Sequence, residues 1–445
     1  MLKTKKFGVI SLGCDKNRVD TEKMLALIRN HGCSLTDDLN EAQILIINTC
    51  AFLQSARTEA IDTILECAEY KSGNLEKIVV TGCLPQKFID ELYAPLYEAD
   101  IFLGINDYQK LFDALEESYK TDKRVNFVKT GNDEFSKSRV ITTPSHYAYL
   151  KIADGCYNHC TYCLIPKIRG KYRSHPMEEL LLEAEELGDV SELIVVAQDS
   201  TRYGEDLYGE NKFLELLQKL SKLENIRSIR LLYCYPDVIT DELIDEISKN
   251  EKILKYLDIP LQHSENRILK LMNRKGTREG YLELFAKLRK KIPNIAIRST
   301  FISGFPSETE EEFEAMLDFI QKAKLVNCGF FAYSKEPDTA AYRMKGHIHH
   351  ATKKRRVKRL YETQSNISAE ILSKFVDEEI DVLCDGIDYD KNCFVGRAYF
   401  NAPDIDGKVY FNAYEAMQGE TYKVKILSAD SYDLYGKTEE YYEST

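Results

Sequence analysis

Apolar positions follow two alternating rhythms along most of the chain: short continuous runs, and longer stretches with helical spacing. The runs Phe7–Leu12, Gln43–Asn48 and Lys77–Thr81 read as buried strands. Between them, Val19–Asn30, Ser55–Tyr70 and Gln86–Tyr93 place apolar residues three or four apart, as amphipathic helices do. This alternation predicts an α/β domain over residues 1–120, its parallel sheet covered on both faces. A polar, charged connector at 121–141 follows. A second alternating series spans 142–373, with strands at Tyr147–Ala153, Glu192–Ala197, Arg227–Tyr233, Tyr256–Pro260, Ala296–Ile302 and Asn327–Tyr333. Helical patterns such as Glu178–Leu187 and Glu308–Ala323 separate these strands, and a basic helix, His350–Ser373, leads out. Six βα units predict a full or partial barrel of the TIM type. From 374 to 441 the pattern changes to β-branched and aromatic residues, with turn signals at Asp385-Gly386, Asp406-Gly407 and Gln418-Gly419. That predicts a small antiparallel barrel of about five strands.

Composition narrows the function classes. With 445 residues, 44% hydrophobic and 30% charged, each domain has enough apolar matter for a core, which excludes a disordered chain. No apolar run approaches the ~18 residues of a membrane span. The net charge of −12 argues against a chain that coats nucleic acid along its length. The start resembles a lipoprotein signal ending at Cys14, but the apolar stretch Phe7–Gly13 is short and the same strand-then-cysteine pattern recurs further on. The expected location is therefore the cytoplasm, where thiols stay reduced. Twelve cysteines in such a chain direct attention to metal or redox chemistry.

Cys14, Cys50 and Cys83 each follow a predicted strand, in SLGC, INTC and VTGC. The carboxyl ends of parallel strands form a ligand crevice, so three thiols far apart in sequence converge on one edge. The bland alternative is three buried cysteines serving as small apolar residues. A tighter set, Cys156, Cys160 and Cys163, lies just beyond the first barrel strand, on the face where barrel active sites form. Three thiolates on one loop can hold three irons of a cubane [4Fe-4S] cluster and leave the fourth open. Zinc is the competing metal, but structural zinc prefers four ligands, and His159 is adjacent to Cys160, which makes tetrahedral closure awkward. Cys33, Cys67, Cys234, Cys328, Cys384 and Cys393 lack either arrangement and read as packing residues.

The spacing CxxxCxxC, with Tyr162 before the last cysteine, resembles the radical S-adenosylmethionine superfamily. The string Ala153 to Ser174 (ADGCYNHCTYCLIPKIRGKYRS) is similar to its methylthiotransferase family, as are the three strand-end cysteines and the terminal barrel, which resembles a TRAM domain. The resemblance covers essentially the whole chain. It implies two [4Fe-4S] clusters, one on Cys14, Cys50 and Cys83 and one on Cys156, Cys160 and Cys163. The open iron of the latter would chelate S-adenosylmethionine, whose reductive cleavage yields a radical able to take hydrogen from an unactivated carbon. The other cluster would hold the sulfur to be inserted, which a second S-adenosylmethionine methylates. Candidate cofactor contacts are Tyr162, Gln198, Asp199, Gln262 and Arg298, with Gln262-His263 and Ser303-Gly304-Phe305-Pro306 at strand ends. His347, His349 and His350 read as a polar turn, and the run Lys353–Arg359 as a solvated helix face.

Members of the family modify either adenosine in transfer RNA or an aspartate in the twelfth small-subunit ribosomal protein. Residues 375–445 hold sixteen acids and six bases, a net −10 that would repel RNA and attract a basic protein. Gly13–Glu22 (GCDKNRVDTE), Ala402–Gly407 (APDIDG) and Tyr432–Gly436 (YDLYG) also resemble the ribosomal-protein branch, although Asp15 departs from its commoner proline. The expected partners are that ribosomal protein, free or within the small subunit, and an external electron donor, with no membrane and transfer RNA disfavoured. Acids such as Asp388, Asp404 and Asp406 are expected at the surface. Two alternatives stay open: a transfer-RNA adenosine methylthiotransferase, and a non-catalytic iron–sulfur or zinc scaffold on the ribosome.

Overall fold

Alternation inside fully buried strands builds the first sheet. A computed structural model describes residues 2–129 and 138–443, with side chains through Tyr441. Its first sheet has β1 (Lys6–Ser11), β2 (Ser34–Leu35), β3 (Ile44–Thr49), β4 (Lys77–Gly82), β5 (Ile101–Phe102) and β6 (Val125–Asn126), in the order β2-β1-β3-β4-β5-β6 and parallel throughout. In β3, Ile44 and Ile46 turn to one face, where α1 (Asp15–Asn30) brings Met24 and Ile28. Leu45 and Ile47 turn to the other, against Ala60 and Ile64 of α2 (Gln54–Ala68) and Leu84 and Ile89 of α3 (Cys83–Leu92). Helix α4 (Leu111–Thr121) joins the first face, and Ile168 of α5 (Ile165–Ile168) joins the second. Both faces are thus covered, as a parallel sheet requires.

Contacts divide the chain into two compact units. One comprises Met1–Thr142, Asp154–His159 and Cys163–Glu183; the other comprises Thr143–Ala153, Cys160–Tyr162 and Ala184–Thr445. Of the predicted connector, residues 130–137 lie outside the described residues. Its far end is not a solvated tether. Arg139 is buried between Glu22 and Glu183, with Nη1 2.6 Å from Glu183, and Thr142 N donates to Glu22 at 2.8 Å.

The second unit begins with β7 (Tyr147–Lys151). Two-residue strands β8 (Ala153–Asp154) and β9 (Arg173–Ser174) flank the cysteine loop in the chain and α6 (Met177–Glu186) follows, β9 and most of α6 belonging to the first unit. Then β10 (Val190–Val196), β11 (Ile226–Leu231), β12 (Ile253–Asp258), β13 (Ala296–Ser303) and β14 (Asn327–Ala332) pair in sequence order after β7, every neighbour parallel. The strands β7 and β14 are opposite edges of this sheet, so the TIM-type expectation resolves to its partial form, an open half-barrel. Between them run α7 (Phe213–Leu220), α8 (Asp241–Lys249), α9 (Asn266–Leu271), α10 (Arg278–Lys291) and α11 (Glu310–Ala323). The start of α11 is set by a capping box. Thr309 Oγ1 accepts from Glu312 N at 3.2 Å, and Glu312 Oε2 accepts from Thr309 N at 2.9 Å. The basic helix is α12 (His350–Leu372), and its cations are not all solvated. Arg356 is buried against Glu308 at 2.5 Å, and Lys353 reaches the carbonyl of Tyr333 at 2.6 Å.

The terminal strands β15 (Glu379–Asp388), β16 (Cys393–Arg397), β17 (Val409–Asn412), β18 (Thr421–Ala429) and β19 (Leu434–Thr438) close into a barrel in the order β15-β16-β17-β19-β18. Two expectations need correction. The barrel is not wholly antiparallel, because β17 and β19 pair in parallel. Nor is Asp385-Gly386 a turn. It lies inside β15, where the register shifts between Cys384 and Gly386 as a bulge that bends the strand for closure.

Buried charges fasten this barrel to the half-barrel. Glu192 of β10 accepts from Arg230 Nε of β11 at 2.6 Å and from Arg397 Nη1 of β16 at 2.7 Å. Arg230 also donates to the carbonyl of Tyr399 at 2.7 Å. Asp406, expected at the surface, is instead buried, taking a bond from Tyr256 at 2.7 Å and one from Arg298 at 3.2 Å. Burial alone would raise the Glu192 carboxyl, but the two guanidinium groups outweigh it and hold the group below the ordinary carboxylate range. Removing one member leaves the others buried and unpaired, so Glu192→Ala is expected to lose about 3 kcal/mol of unfolding free energy. Urea titration followed by circular dichroism, chosen because the chain has no tryptophan, checks this. The exposed Arg227–Glu420 pair is the comparison, and Glu420→Ala should shift the midpoint little.

Candidate active site

The strands β1, β3 and β4 are adjacent and parallel, so their carboxyl ends open on one edge. Cys14 caps the amino end of α1, Cys50 follows β3, and Cys83 opens α3 behind β4. The chain reaches Cys14 through Gly13 at φ +98°, where a Cβ would stand 2.7 Å from the Cβ of Cys50. Only glycine permits that turn and that approach together. Cys14 is exposed, Cys50 half-buried and Cys83 buried, so the triad runs from solvent into the core. Burial pushes the Cys83 thiol up to about 12, with the nearby Arg169 charge pulling the other way. Burial also raises Cys50, opposed by the backbone N–H of Phe52 and by Arg169. Binding of iron by these thiols would release their protons. The arrangement fits a [4Fe-4S] cluster, which takes each thiolate on a separate iron. Among the described residues no three His, Cys, Asp or Glu side chains gather as a site for a single metal ion.

The loop carrying Cys156, Cys160 and Cys163 supplies donors to its own sulfurs. Asn158 N lies 3.3 Å from Cys156 Sγ, and Ile165 N lies 3.4 Å from Cys163 Sγ. Cys160 Sγ is 3.2 Å from the Tyr235 hydroxyl and 4.0 Å from Arg274 Nη1. The Arg274 guanidinium stacks on the Tyr235 ring, 4.0 Å from its centroid. Hydrogen-bond donors and a cation thus surround the sulfurs that a cluster would use. Thr161 pins the loop to the half-barrel: its N–H donates to Met272 O at 3.0 Å, its hydroxyl to Leu271 O at 2.8 Å, and its carbonyl accepts from Ala341 N at 2.8 Å. Tyr162 packs against the apolar cluster of Ile268, Met272, Phe305, Tyr333 and Ala341.

The predicted strand-end residues fall into different settings. Gln198 follows β10, and both of its amide atoms are buried without a partner, a shortage that a polar ligand relieves. The Tyr333 hydroxyl beyond β14 is in the same condition. Asp199 is otherwise engaged, accepting from Thr201 Oγ1 at 2.8 Å and pairing with Arg202 at 3.1 Å. Gln262, at φ +74°, is tied by its backbone to β13, donating to Thr300 O at 2.7 Å and accepting from Ile302 N at 2.8 Å. His263 faces Glu308 at 3.3 Å, and Glu308 also accepts from Gly304 N at 2.8 Å. Arg298 is not at this face. It is the third residue of β13 and is committed to Asp258 at 2.9 Å and to Asp406, which explains its burial without any cofactor.

Sequence reasoning missed Asn17, Arg169, Tyr235 and Arg274. Arg169 lies within the string that carries the family resemblance, and Asn17 one turn into α1, so both were visible but had no assigned role. Tyr235 precedes Pro236 just past β11, and Arg274 sits between Asn273 and Gly276, turn-forming residue types that were the available signal and that both take positive φ in the structure. Burial of a cation against sulfur cannot be read from spacing.

Residues 150–320 match the Radical SAM superfamily, 6–104 the Uncharacterized protein family UPF0004, and 376–438 the TRAM domain. The ribosomal protein uS12 methylthiotransferase RimO of Clostridium botulinum (strain Eklund 17B / Type B) is 47% identical over 98% of each chain. The protein of that name from Lachnoclostridium phytofermentans is 45% identical over 98% of this chain and 100% of its own. Among solved structures, the radical S-adenosylmethionine methyltransferase TsrM of Kitasatospora setae superposes with a TM-score of 0.57 at 13% identity, covering 76% of this chain and 77% of that one; the likeness is one of fold.

The turn before Cys14 makes a direct prediction. Gly13→Ala should lower unfolding free energy by about 1–2 kcal/mol and should speed alkylation of Cys50 in the metal-free protein by displacing it. Denaturant titration and peptide mass spectrometry read the two effects, and no change in either would mean that the close approach is unimportant.

Proposed function

Because the chain belongs to the ribosomal protein uS12 methylthiotransferase family, we propose that it replaces a hydrogen on the β-carbon of a uS12 aspartate with a methylthio group. Membership of the Radical SAM superfamily implies S-adenosylmethionine and a [4Fe-4S] cluster. The observation that carries the fuller reading is the presence of two cysteine triads in unlike surroundings, one on strand ends and one on a donor-rich loop. Cys156, Cys160 and Cys163 would hold the cluster that binds S-adenosylmethionine, and Cys14, Cys50 and Cys83 a second cluster. When bound, the first supplies the electron that cleaves the sulfonium, so that hydrogen can be taken from a carbon no side-chain base deprotonates, and the second carries the sulfur.

The chain's own residues prepare this chemistry. Tyr235 and Arg274 flank the sulfur of Cys160, and Thr161 holds the loop in place. The free amide of Gln198 and the hydroxyl of Tyr333 are available to the polar groups of S-adenosylmethionine. Asp199 fixes the turn that follows Gln198, and the backbone of Gln262 ties the segment after β12 to β13. Tyr162 closes the apolar side.

Charge supports a protein substrate. Residues 375–445 carry a net −10. Part of it is structural, since Asp406 and Asp385 are spent on Arg298 and Arg397. Asp381, Asp390, Asp404 and Glu415 remain exposed, among exposed Tyr389, Tyr414 and Met417. Such a surface attracts a basic protein and repels phosphate. Action on a ribosomal protein supports a cytoplasmic location, where an external donor would supply the electron. No helix among the described residues is long and apolar enough to cross a membrane.

Mass spectrometry of uS12 and of bulk transfer RNA, from cells with and without the gene, tests the substrate: the +46 Da methylthio increment is expected on a uS12 aspartate, roughly the mass of SCH₂ replacing nothing else in the residue. Its appearance in transfer RNA instead would move the chain to the RNA-modifying branch. Reconstituted protein should hold about eight irons. Alanine at Cys156, Cys160 and Cys163 should halve that and abolish 5′-deoxyadenosine formation, whereas alanine at Cys14, Cys50 and Cys83 should halve it and spare that product. Full iron in either triple variant would refute its ligand set. Binding of uS12 should weaken as salt shortens the Debye length from ~10 Å at 0.1 M to ~3 Å at 1 M, and lysine at Asp381, Asp390 and Asp404 should weaken it further.

A further inference from the structure

Arg169 belongs to neither triad, yet its guanidinium joins chain segments that carry both. Nη1 donates to Asp154 at 2.6 Å, two residues before Cys156. Nη2 donates to Asn17 Oδ1 at 2.5 Å and to Asp20 Oδ2 at 3.1 Å, on the first turns of the helix that Cys14 caps. The same Asn17 oxygen accepts from Cys83 Sγ at 3.7 Å. Asn17 Nδ2 donates to Leu12 O and Thr49 O, both at 3.0 Å, just ahead of Cys14 and Cys50. One buried hydrogen-bonded chain therefore runs from the surroundings of all three strand-end cysteines to the foot of the cysteine loop.

The side-chain exposures are 2% for Arg169, 3% for Asp154 and 9% for Asp20. Buried ion clusters of this kind seldom add stability over an apolar replacement, and their best-attested use is to fix register. The planar fork of arginine can hold Asp154 on one prong and Asn17 with Asp20 on the other, which the point charge of lysine cannot.

We propose that Arg169 is a positioning residue that, within the first unit, fixes the segment bearing Cys156 against the strand-end triad and so sets the spacing of the groups these cysteines would hold. This rests on the two-cluster reading above. A misplacement of about 1 Å between reacting groups can cost on the order of a hundredfold in rate, so small slack here is consequential.

The test uses the reconstituted full chain with Arg169→Lys, Arg169→Gln and the milder Asp154→Asn. Three quantities are read: iron content, the ratio of 5′-deoxyadenosine formed to methylthiolated uS12, and the dipolar interaction between the reduced clusters by electron paramagnetic resonance. Iron-replete variants should show a ratio raised at least about tenfold and an altered dipolar interaction. A wild-type ratio and spectrum in iron-replete Arg169→Lys or Asp154→Asn would overturn the proposal. Should the Arg169 variants lose iron, Asp154→Asn decides on the same two readouts. If the wild-type enzyme cleaves S-adenosylmethionine but leaves uS12 unmodified, the substrate reading falls, and the dipolar spectrum still decides the role of Arg169.

Discussion

A helix with a buried polar face governs the first unit. In α1, Lys16, Asn17, Asp20, Thr21, Glu22 and Lys23 are all buried, so each polar group needs a partner from elsewhere in the chain. The partners come from far away in sequence: Arg169 for Asn17 and Asp20, Arg139 for Glu22, and Glu183 for Lys23. An amphipathic surface helix would have left these segments independent. Because α1 buries charges, it gathers the residues before and after the cysteine loop around the strand-end cysteines, and the position of Cys14 becomes part of the same constraint.

The second unit uses buried charge differently. Glu192, Arg230 and Arg397 form one set, and Asp406, Arg298, Asp258 and Tyr256 another, each crossing from the half-barrel to the terminal barrel. Ion pairs are directional where apolar contact is not, so these sets fix orientation as well as attachment. They also divide the acids of the terminal barrel into those consumed internally and those left to face a partner. The net charge of the segment overstates the field available to a substrate, and only the exposed carboxylates bear on recognition.

Much of the fold was legible because its signals are periodic. Strands β3 and β4 are runs buried on both faces, β1 is buried at Phe7 and Gly8 and partly buried at Val9 and Ile10, and each predicted strand of the second series lies within a few residues of its observed place. The six cysteines were legible through their places after strands and their spacing. What the sequence hid has one physical character. Asp385-Gly386 carries turn residues but forms a bulge, because closure of a small barrel bends a long strand at the point where glycine allows it. Asp406 and Arg356 look like surface charges, and tertiary partners from other elements bury them. Arg274 and Tyr235 meet at Cys160 from separate loops. Pairing between remote polar residues leaves no period in the chain, so it appears only when the backbone is folded.

The two ends of the half-barrel strands explain why some predicted contacts were misplaced and others were not. Near the amino ends, Glu192 and Arg298 are saturated by partners and have nothing to offer a ligand. Just beyond the carboxyl ends, Gln198 and Tyr333 keep buried polar atoms unpaired. A strand of five or six residues separates its ends by roughly 17–20 Å, so rigid fastening at one end does not consume groups at the other. A residue whose polar side-chain atoms are all buried and unpaired is a candidate for satisfaction by a ligand. Gln198 and Tyr333 lie on the side from which the cysteine loop departs, after β7. On the side held by the terminal barrel, the unpaired atoms His146 Nδ1 and Arg397 Nη2 belong to residues otherwise committed to Asp385 and Glu192. Stability and ligand binding thus draw on opposite ends of the same strands, and polar type alone could not have told Arg298 from Gln198.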